Sequence, residues 1–516
     1  MCLYCQTLVL IDSVKLFGER HKKRKTNVII NLKNKITHGG LSMNILSQFN
    51  KILEKNFNKF LKNHFINSNF WNKSSDFNNY INFMTDLDSF NYSFIANIIK
   101  DYLEYIDEQF FHTSYRKQFC ESKGFYKRTI LTLFGEITFK RRYYFDKKYN
   151  DRVYFTDFFL GLPKRKYFDP FVCSEICNES ASTSYSKAGL TIASKIGNRI
   201  NNNLYISRAS SRNIVLNFDI QNDNEFNKKR VERLFVMLDE KFVGSQFNEG
   251  LDHMIKASVT FEDTELVYKY KKKEKSMDRY KLVNSHTCAS IDNELLKDTV
   301  DYIYNNYDTD YINEIVFMGD CAKWIKNFPK SHWFKFNNEC KITFAMDGFH
   351  FSQALLQLTT NAHEDIYYAL YEMTLLNKKK DFIMMCNDFK DLEPNRAETI
   401  NNKMNYILNN WNERQIYQNN PYMKCSMESH ISHIFADLFT SRPKAYSQDG
   451  LRQLLKLRLL KINGKDIKKM YLESLIAKEN KAAYSFEIQK TRYDYEFYDL
   501  TQKLRFLNAD NLINYI

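Results

Sequence analysis

Arg233–Glu240 reads RLFVMLDE, an unbroken apolar run from Leu234 to Leu238 closed by two acids. An apolar run without alternation is the pattern of a strand covered on both faces, as in the middle of an α/β sheet. The pattern returns as INEIVFMGD at Ile312–Asp320 and as KITFAMD at Lys341–Asp347, so Asp239, Asp320 and Asp347 each close such a run. In open α/β sheets ligands gather beyond the carboxyl ends of the strands. Parallel strands would therefore bring the three acids to one edge. A lone Asp after a strand is commonly a turn residue or a helix N-cap. Three within one segment shift the balance toward chemistry.

A fourth acid lies far downstream. In CSMESHISHIFADLFTSRPKAYS, Cys425–Ser447, helical numbering gathers Ile431, Ile434, Phe435 and Leu438 into an apolar stripe, with His430, His433 and Asp437 on the other side. Glu428 falls on the apolar side, one turn before Ile431. An inward carboxylate has a reason to be there if it joins the strand-end acids. Clustered carboxylates raise one another's pKa unless a cation is shared. Mg²⁺ or Mn²⁺, hard ions that prefer oxygen, are the expected partners. Two such ions ~3.5–4 Å apart clamp the attacking and leaving oxygens of a phosphodiester. His430 and His433 have HxxH spacing but face away from Glu428, which suits a DNA contact or a surface histidine rather than zinc.

Composition agrees with a polyanionic partner. The 516 residues carry 75 Lys and Arg against 61 Asp and Glu, a net +14, with 44% hydrophobic and 16% aromatic residues. Such a balance suits nucleic acid. With 14 Gly and 6 Pro the chain has little room for long linkers, and its 10 Cys form no zinc framework, which points to reduced thiols in a cytoplasmic protein. No apolar run approaches the ~20 residues of a membrane span.

The organisation follows from the periodicities. Residues 1–42, with the basic run HKKRK, read as a leader, and Met43 as a possible native start. Residues 43–170 read as a helical segment followed by a β-hairpin, YKRTILTLFGEITFKRRYYF, around Phe134–Gly135–Glu136; its second strand carries Arg141 and Arg142 as candidate DNA contacts. Residues 171–230 read as a helix-turn-helix-like region, with Arg208 and Arg212 at the start of its second helix; a plain helical hairpin is the alternative. The basic stretch YKYKKKEKSMDRYK, Tyr268–Lys281, reads as an exposed hairpin or loop. Residues 231–350 would form the first part of the core, 351–420 a helical insertion, 421–450 the final core helix and 451–516 a helical tail.

The segments LDEKFV, FMGDCAKWIK, MDGFHFSQAL and SMESHISHIFADLFTSRPKAYS resemble, in order and spacing, the motif blocks of DDE transposases of the ISLre group of bacterial insertion sequences. GFYKRTILTLFGEITFKRRYYFD, GLPKRKYFDP and TSYSKA resemble that family's N-terminal region. The resemblance implies an α/β RNase H-like catalytic core, a mixed sheet flanked by helices, with a helical insertion and an N-terminal DNA-binding region. It implies Asp239, Asp320 and Glu428 as the catalytic acids that bind two Mg²⁺ or Mn²⁺ ions. Asp347 and His350 match a D-x-x-H element and become supporting residues, as does Arg442 of the Arg-Pro segment. Double-stranded DNA, as terminal repeats and as target, is the implied partner, met by a homodimer or larger assembly in the nucleoid. The match departs at Ser429, where Gly is usual, at Cys321, and at Lys444–Ser447. The alternatives are a DNA-binding relative without strand transfer and a metal-dependent nuclease on the same fold.

Overall fold

The computed structural model describes Glu54, Phe57, Asn58, Lys62, residues 77–420 and 445–490 with short breaks, and Phe435 and Leu438–Thr440. The breaks fall at 113, 148–150, 164, 201–202, 221–227, 247–251, 273–274, 335–339 and 361–362. The leader, Glu428, His430, His433 and Arg442 lie outside the described residues. The chain divides into two compact units, the first made of residues up to Ile176, Gly189–Ser207 and residues from Leu472, the second of Cys177–Ala188 and Arg208–Tyr471.

In the first unit a long helix α1 (Phe77–His112) and a short α2 (Ser114–Phe119) precede an antiparallel hairpin, β1 (Cys120–Thr132) and β2 (Gly135–Asp146), to which β3 (Asp151–Val153) adds a third strand. The hairpin turns where the sequence places Phe134–Gly135, and Gly135 takes the left-handed backbone (φ 107°) that only glycine adopts freely. Leu103 of α1 packs on Ile130, Ile137 and Phe139, so the alternation along β2 points its apolar residues at the helix. A short α3 (Phe155–Phe159) seats Phe155 in a second cluster with Ile106, Phe110 and Tyr144.

This hairpin corrects one expectation. Arg141 and Arg142 are buried, not offered to a phosphate. Arg142 bonds the Asp107 carboxylate at 2.9 Å and Glu108 at 2.7 Å, both on α1, while Arg141 and Arg128 share the Asp157 carboxylate at 3.0 and 2.8 Å. Three guanidinium groups inside a small unit are tolerable only because each meets an acid.

Helices α4 (Pro170–Ser180), α5 (Tyr185–Ile200) and α6 (Arg208–Leu216) follow. A DNA-reading helix pair joins its helices through three or four residues. Here residues 201–207 separate α5 from α6, a longer span than the three or four residues of that motif, and 201–202 lie outside the described residues. Arg208 is exposed and Arg212 half-buried.

The second unit is built on a mixed sheet whose strands are β4 (Arg233–Ser245), β5 (His253–Phe261), β8 (His286–Ser290), β9 (Glu314–Gly319) and β10 (Lys341–Met346), in the order β10-β9-β4-β5-β8. Strand β5 runs antiparallel to its neighbours β4 and β8, and β4, β9 and β10 are parallel. A separate two-stranded ribbon, β6 (Asp263–Lys272) and β7 (Lys275–Val283), stands between β5 and β8. The crossover from β8 to β9 carries α7 (Leu295–Asn306), and the one from β9 to β10 carries α8 (Lys323–Asn327).

Leu234, Val236 and Leu238 of β4 and Ile315 and Phe317 of β9 share one apolar cluster with Leu295, Val300 and Ile303 of α7 and Ile325 of α8. The alternate residues Phe235, Met237, Val316 and Met318 point the other way and are buried too. Burial on both faces is why these strands read as continuous apolar runs. After β10 come five helices, α9 (Gly348–Thr359), α10 (Glu364–Leu375), α11 (Lys379–Leu392), α12 (Ala397–Asn409) and α13 (Trp411–Asn419), around a core that includes Phe351, Leu355, Phe382, Phe389, Ile400 and Trp411. A two-residue strand β11 (Ala445–Tyr446) then pairs in parallel with Gly244 and Ser245 of β4, and α14 (Gln448–Ile462) and α15 (Ile467–Lys490) end the described chain. Among the described residues no helix is long and apolar enough to cross a membrane.

Candidate functional site

The three strands that close on aspartate are neighbours and parallel, so their carboxyl ends share one edge of the sheet. Asp239 lies two residues beyond Met237 and Asp320 two beyond Met318, the last registered pair of β4 and β9. Asp347 and Asp320 each stand one residue beyond the pair Met346 and Gly319 that ends the ladder of β10 and β9, and the Asp347 amide donates to the Gly319 carbonyl at 3.1 Å. The three acids are therefore level across adjacent strands. One detail differs from the sequence reading. β4 does not stop at Asp239 but runs on to Ser245, paired with β5; it is the parallel partner β9 that leaves there.

Close approach of β4 and β9 depends on Gly319. A Cβ at that position would meet the Leu238 carbonyl oxygen and the Ile325 side chain, each at 2.8 Å. Just past it Cys321 adopts a left-handed backbone (φ 68°) that turns the chain into α8. The Asp320 carboxylate accepts from the Ala322 amide at 2.8 Å across this turn.

Each carboxylate is held by its own backbone. The Asp239 carboxylate accepts from the Glu240 amide at 2.7 Å. Asp347 caps α9, accepting from the His350 amide at 2.8 Å and from His350 Nδ1 at 2.6 Å. Asp239 and Asp347 are buried and Asp320 is half-buried. Burial opposes protonation of His350, but the hydrogen bond and charge of Asp347, followed by the charges of Asp239 and Asp320, outweigh it and raise its pKa to about 9. The imidazolium thus feels all three aspartates, which is the electrostatic signature of their convergence. Glu240, on the opposite side of the strand from Asp239, accepts from the Trp324 indole.

The helices after β10 reach this edge, which sequence reasoning missed. The Tyr406 hydroxyl, from α12, donates to the Asp320 carbonyl. Arg414, from α13, is buried with its guanidinium 4.3 Å from the Phe351 ring; burial lowers its pKa, and Tyr371, Tyr417 and Asp347 oppose that shift. Both residues belong to stretches whose apolar periodicity gives no sign of an inward polar tip. Burial pushes the pKa of the Cys321 thiol up to about 12.

Among the described residues no three His, Cys, Asp or Glu side chains form a group able to hold a metal ion. Asp239 and Asp320 supply the oxygen donors a hard cation takes, and Glu428, the third donor expected from the sequence, lies outside the described residues. No described cysteine is in a disulfide.

Comparison with known proteins adds a family and a set of relatives. A family model described as Uncharacterised protein family (UPF0236) matches residues 84–474. UPF0236 protein TTE0402 of Caldanaerobacter subterraneus subsp. tengcongensis is 26% identical over 353 residues, covering 67% of this chain and 66% of the relative. A second relative of that organism, also 26% identical over 353 residues and covered to 69%, bears a name that joins eleven locus designations, and a third bears one that joins four. The chain spans about two thirds of the length of these relatives.

Proposed function

The chain belongs to the UPF0236 family, and we propose that it is an insertion-sequence transposase, an enzyme that cuts DNA at the ends of a mobile element and joins them to a new site. The single observation that carries this reading is the convergence of Asp239, Asp320 and Asp347 at the carboxyl edge of three adjacent parallel strands. The strand order, three antiparallel strands followed by two parallel ones added beside the first, supports an RNase H-like core. The five helices between β10 and the segment holding Glu428 suit an insertion that contacts DNA ends. Further support comes from the relative whose name joins eleven locus designations. One protein sequence repeated at many loci is what a self-copying element leaves in a genome.

On this reading Asp239, Asp320 and Glu428 hold two Mg²⁺ or Mn²⁺ ions, for which oxygen-only donors are well matched. Bound there, such ions supply charge neutralisation at the attacking and leaving oxygens of an in-line displacement at phosphorus. The chain's own residues do the rest. The backbone amides of Glu240 and Ala322 fix the carboxylate rotamers of Asp239 and Asp320. Asp347 and His350 pair at 2.6 Å, and on this reading they help orient a phosphate. One set of acids serves both strand hydrolysis and strand transfer, because each is a displacement on a phosphodiester.

The test is cleavage of a duplex carrying the DNA that flanks the gene, with Mg²⁺, by the full chain and by Asp239→Asn, Asp320→Asn and Glu428→Gln. We expect a free 3′ hydroxyl with the unaltered chain, no cleavage by any variant, and end binding by all of them. Binding without cleavage by the unaltered chain would favour the DNA-binding relative instead, and cleavage by a variant would remove that residue from the set.

A further inference from the structure

Strand β1 carries a bulge. Ser122 pairs with Tyr144 and Phe125 with Arg142, so Lys123 and Gly124 together oppose the one residue Tyr143. Gly124 takes a left-handed backbone (φ 104°), which glycine adopts without strain. An extra residue of this kind re-aims the side chains beyond it. In unbroken register Gly124 would stand across from Arg142; the bulge puts Phe125 there instead.

The Phe125 ring ends a stack. The Arg116 guanidinium lies 3.9 Å from the Phe111 ring, and the Arg142 guanidinium lies 4.1 Å from Phe111 and 4.4 Å from Phe125. Rings and cations thus alternate in the order Arg116, Phe111, Arg142, Phe125. Phe111 is half-buried, whereas Phe125 is 59% exposed. One side of its ring covers Arg142 and the other turns to solvent. Shielding the Arg142 ion pair accounts for the covered side and leaves the open one unexplained.

Two residues farther along the same face Lys127 stands directly across from Lys140. Both are exposed, and among the described residues neither ammonium meets an acid, unlike Lys123, which meets Glu121 at 2.8 Å. Glu104 and Asp107 of α1 accept from the amides of Lys140 and Arg142 at the strand's edge, and Glu108 accepts from the Arg142 guanidinium. Like charges directly opposite each other destabilise a hairpin. A partner that neutralises them removes that cost. An aromatic ring open on one side, with cations spaced along the backbone beside it, is how proteins hold an unpaired nucleic-acid strand: a base stacks on the ring and phosphates meet the cations.

We propose that Phe125, Lys127 and Lys140 form a contact for single-stranded DNA, in which one base stacks on the open side of Phe125 and the adjoining phosphates meet the two ammonium groups. The inference rests on the reading of the protein as a DNA-acting enzyme, and it adds to that reading a place for unpaired bases. Stacking and phosphate contact carry little sequence preference.

The experiment is fluorescence-anisotropy binding of the full chain to a thymidine strand of about 20 nucleotides and to an abasic strand of the same length, from about 50 to about 300 mM salt. Phe125→Ala is expected to bind the thymidine strand about 5- to 150-fold more weakly, the value of one stacked base. Its salt slope and its binding to the abasic strand should not change. The K127A/K140A chain is expected to flatten the slope of log affinity against log salt by about 1.4, at about 0.7 for each phosphate of a single strand. Phe125→Trp should keep the affinity, with an added indole emission that the thymidine strand quenches and the abasic strand does not. Unchanged binding of the thymidine strand by Phe125→Ala overturns the proposal. So does an equal loss on both strands, which would assign the ring to packing alone. An unchanged slope in the double lysine variant overturns it too, as does an unaltered chain that binds no single strand or prefers the matching RNA. Metal-dependent cleavage is read separately on the unaltered chain: base-dependent binding without cleavage leaves this contact in place and removes the transposase reading.

Discussion

Replacing Asp320 by Asn should stabilise the metal-free protein. Adjacent strands are about 4.8 Å apart, and carboxylates projecting from neighbouring strands at the same level sit roughly 5–7 Å apart. At an effective dielectric of about 20, each such pair repels by about 2–3 kcal/mol. The His350 imidazolium lies in the same field and offsets part of this, leaving a net gain of about 1–2 kcal/mol when one charge is removed. In a unit of this size that corresponds to a rise in Tm of about 2–8 °C. Asn is the right substitution because its amide oxygen still accepts from Ala322 across the left-handed turn at Cys321, so the backbone geometry survives. The assay is differential scanning calorimetry in chelator, repeated with about 10 mM Mg²⁺. For a site of about millimolar affinity, the unaltered chain should gain about 1.4 kcal/mol from the ion. The variant should lose that gain. A variant that melts lower than the unaltered chain in chelator, together with an unaltered chain indifferent to Mg²⁺, would refute the shared-field argument.

Three other outcomes follow from the packing. Arg142→Ala should destabilise the protein by about 3–5 kcal/mol in chemical denaturation, because it strands the fully buried Asp107 carboxylate; the double change Asp107→Asn with Arg142→Met should recover part of the loss. His286, stacked on Tyr302 at 3.8 Å, is held to about pKa 4 by burial and then by Lys465, against an ordinary value of 6.5. Its contribution is therefore complete above pH 6.5 and lost as pH falls toward 4, about 2–3 kcal/mol in all, and His286→Phe should flatten the stability profile across that window. Tyr406→Phe removes one hydrogen bond to the Asp320 carbonyl. It should cost no more than about 1.5 kcal/mol in stability and, on the proposed transposase reading, lower kcat for cleavage about 10- to 100-fold with little change in KM.

The apolar runs were legible because their strands are buried on both faces, a condition that leaves no polar alternation to confuse the reading. The same criterion ended β4 too early. Beyond Glu240 the strand has lost β9 and pairs with β5 and, at Gly244 and Ser245, with the two-residue β11; Phe242 is exposed, and the pattern becomes that of an ordinary half-covered strand. Arg141 and Arg142 were misread because their partners, Asp157 and Asp107, are brought to them by tertiary packing; a charged pair in a strand looks the same whether it faces water or an acid on another helix. The span from Ile200 to Arg208 looked like a turn because Asn residues break helices, and composition does not reveal how far the chain travels before the next one starts. Tyr406 and Arg414 were invisible for a simpler reason. Their ring and stem sit on apolar faces, and only their polar ends touch the site.

The pairing of β11 with the far end of β4 joins Ala445 to Gly244 and Tyr446 to Ser245. During translation, Asp239, Asp320 and Asp347 can take up their positions while about a hundred residues remain to be made before Tyr446 exists, an interval of roughly 5–20 s at ordinary elongation rates. The sheet's acidic rim is thus laid down well ahead of the segment that closes beside it, and a nascent or truncated product carries an assembled but unfinished edge. Synthesis itself sets the order in which these pieces become available, with Ala445 and Tyr446 arriving after all three aspartates.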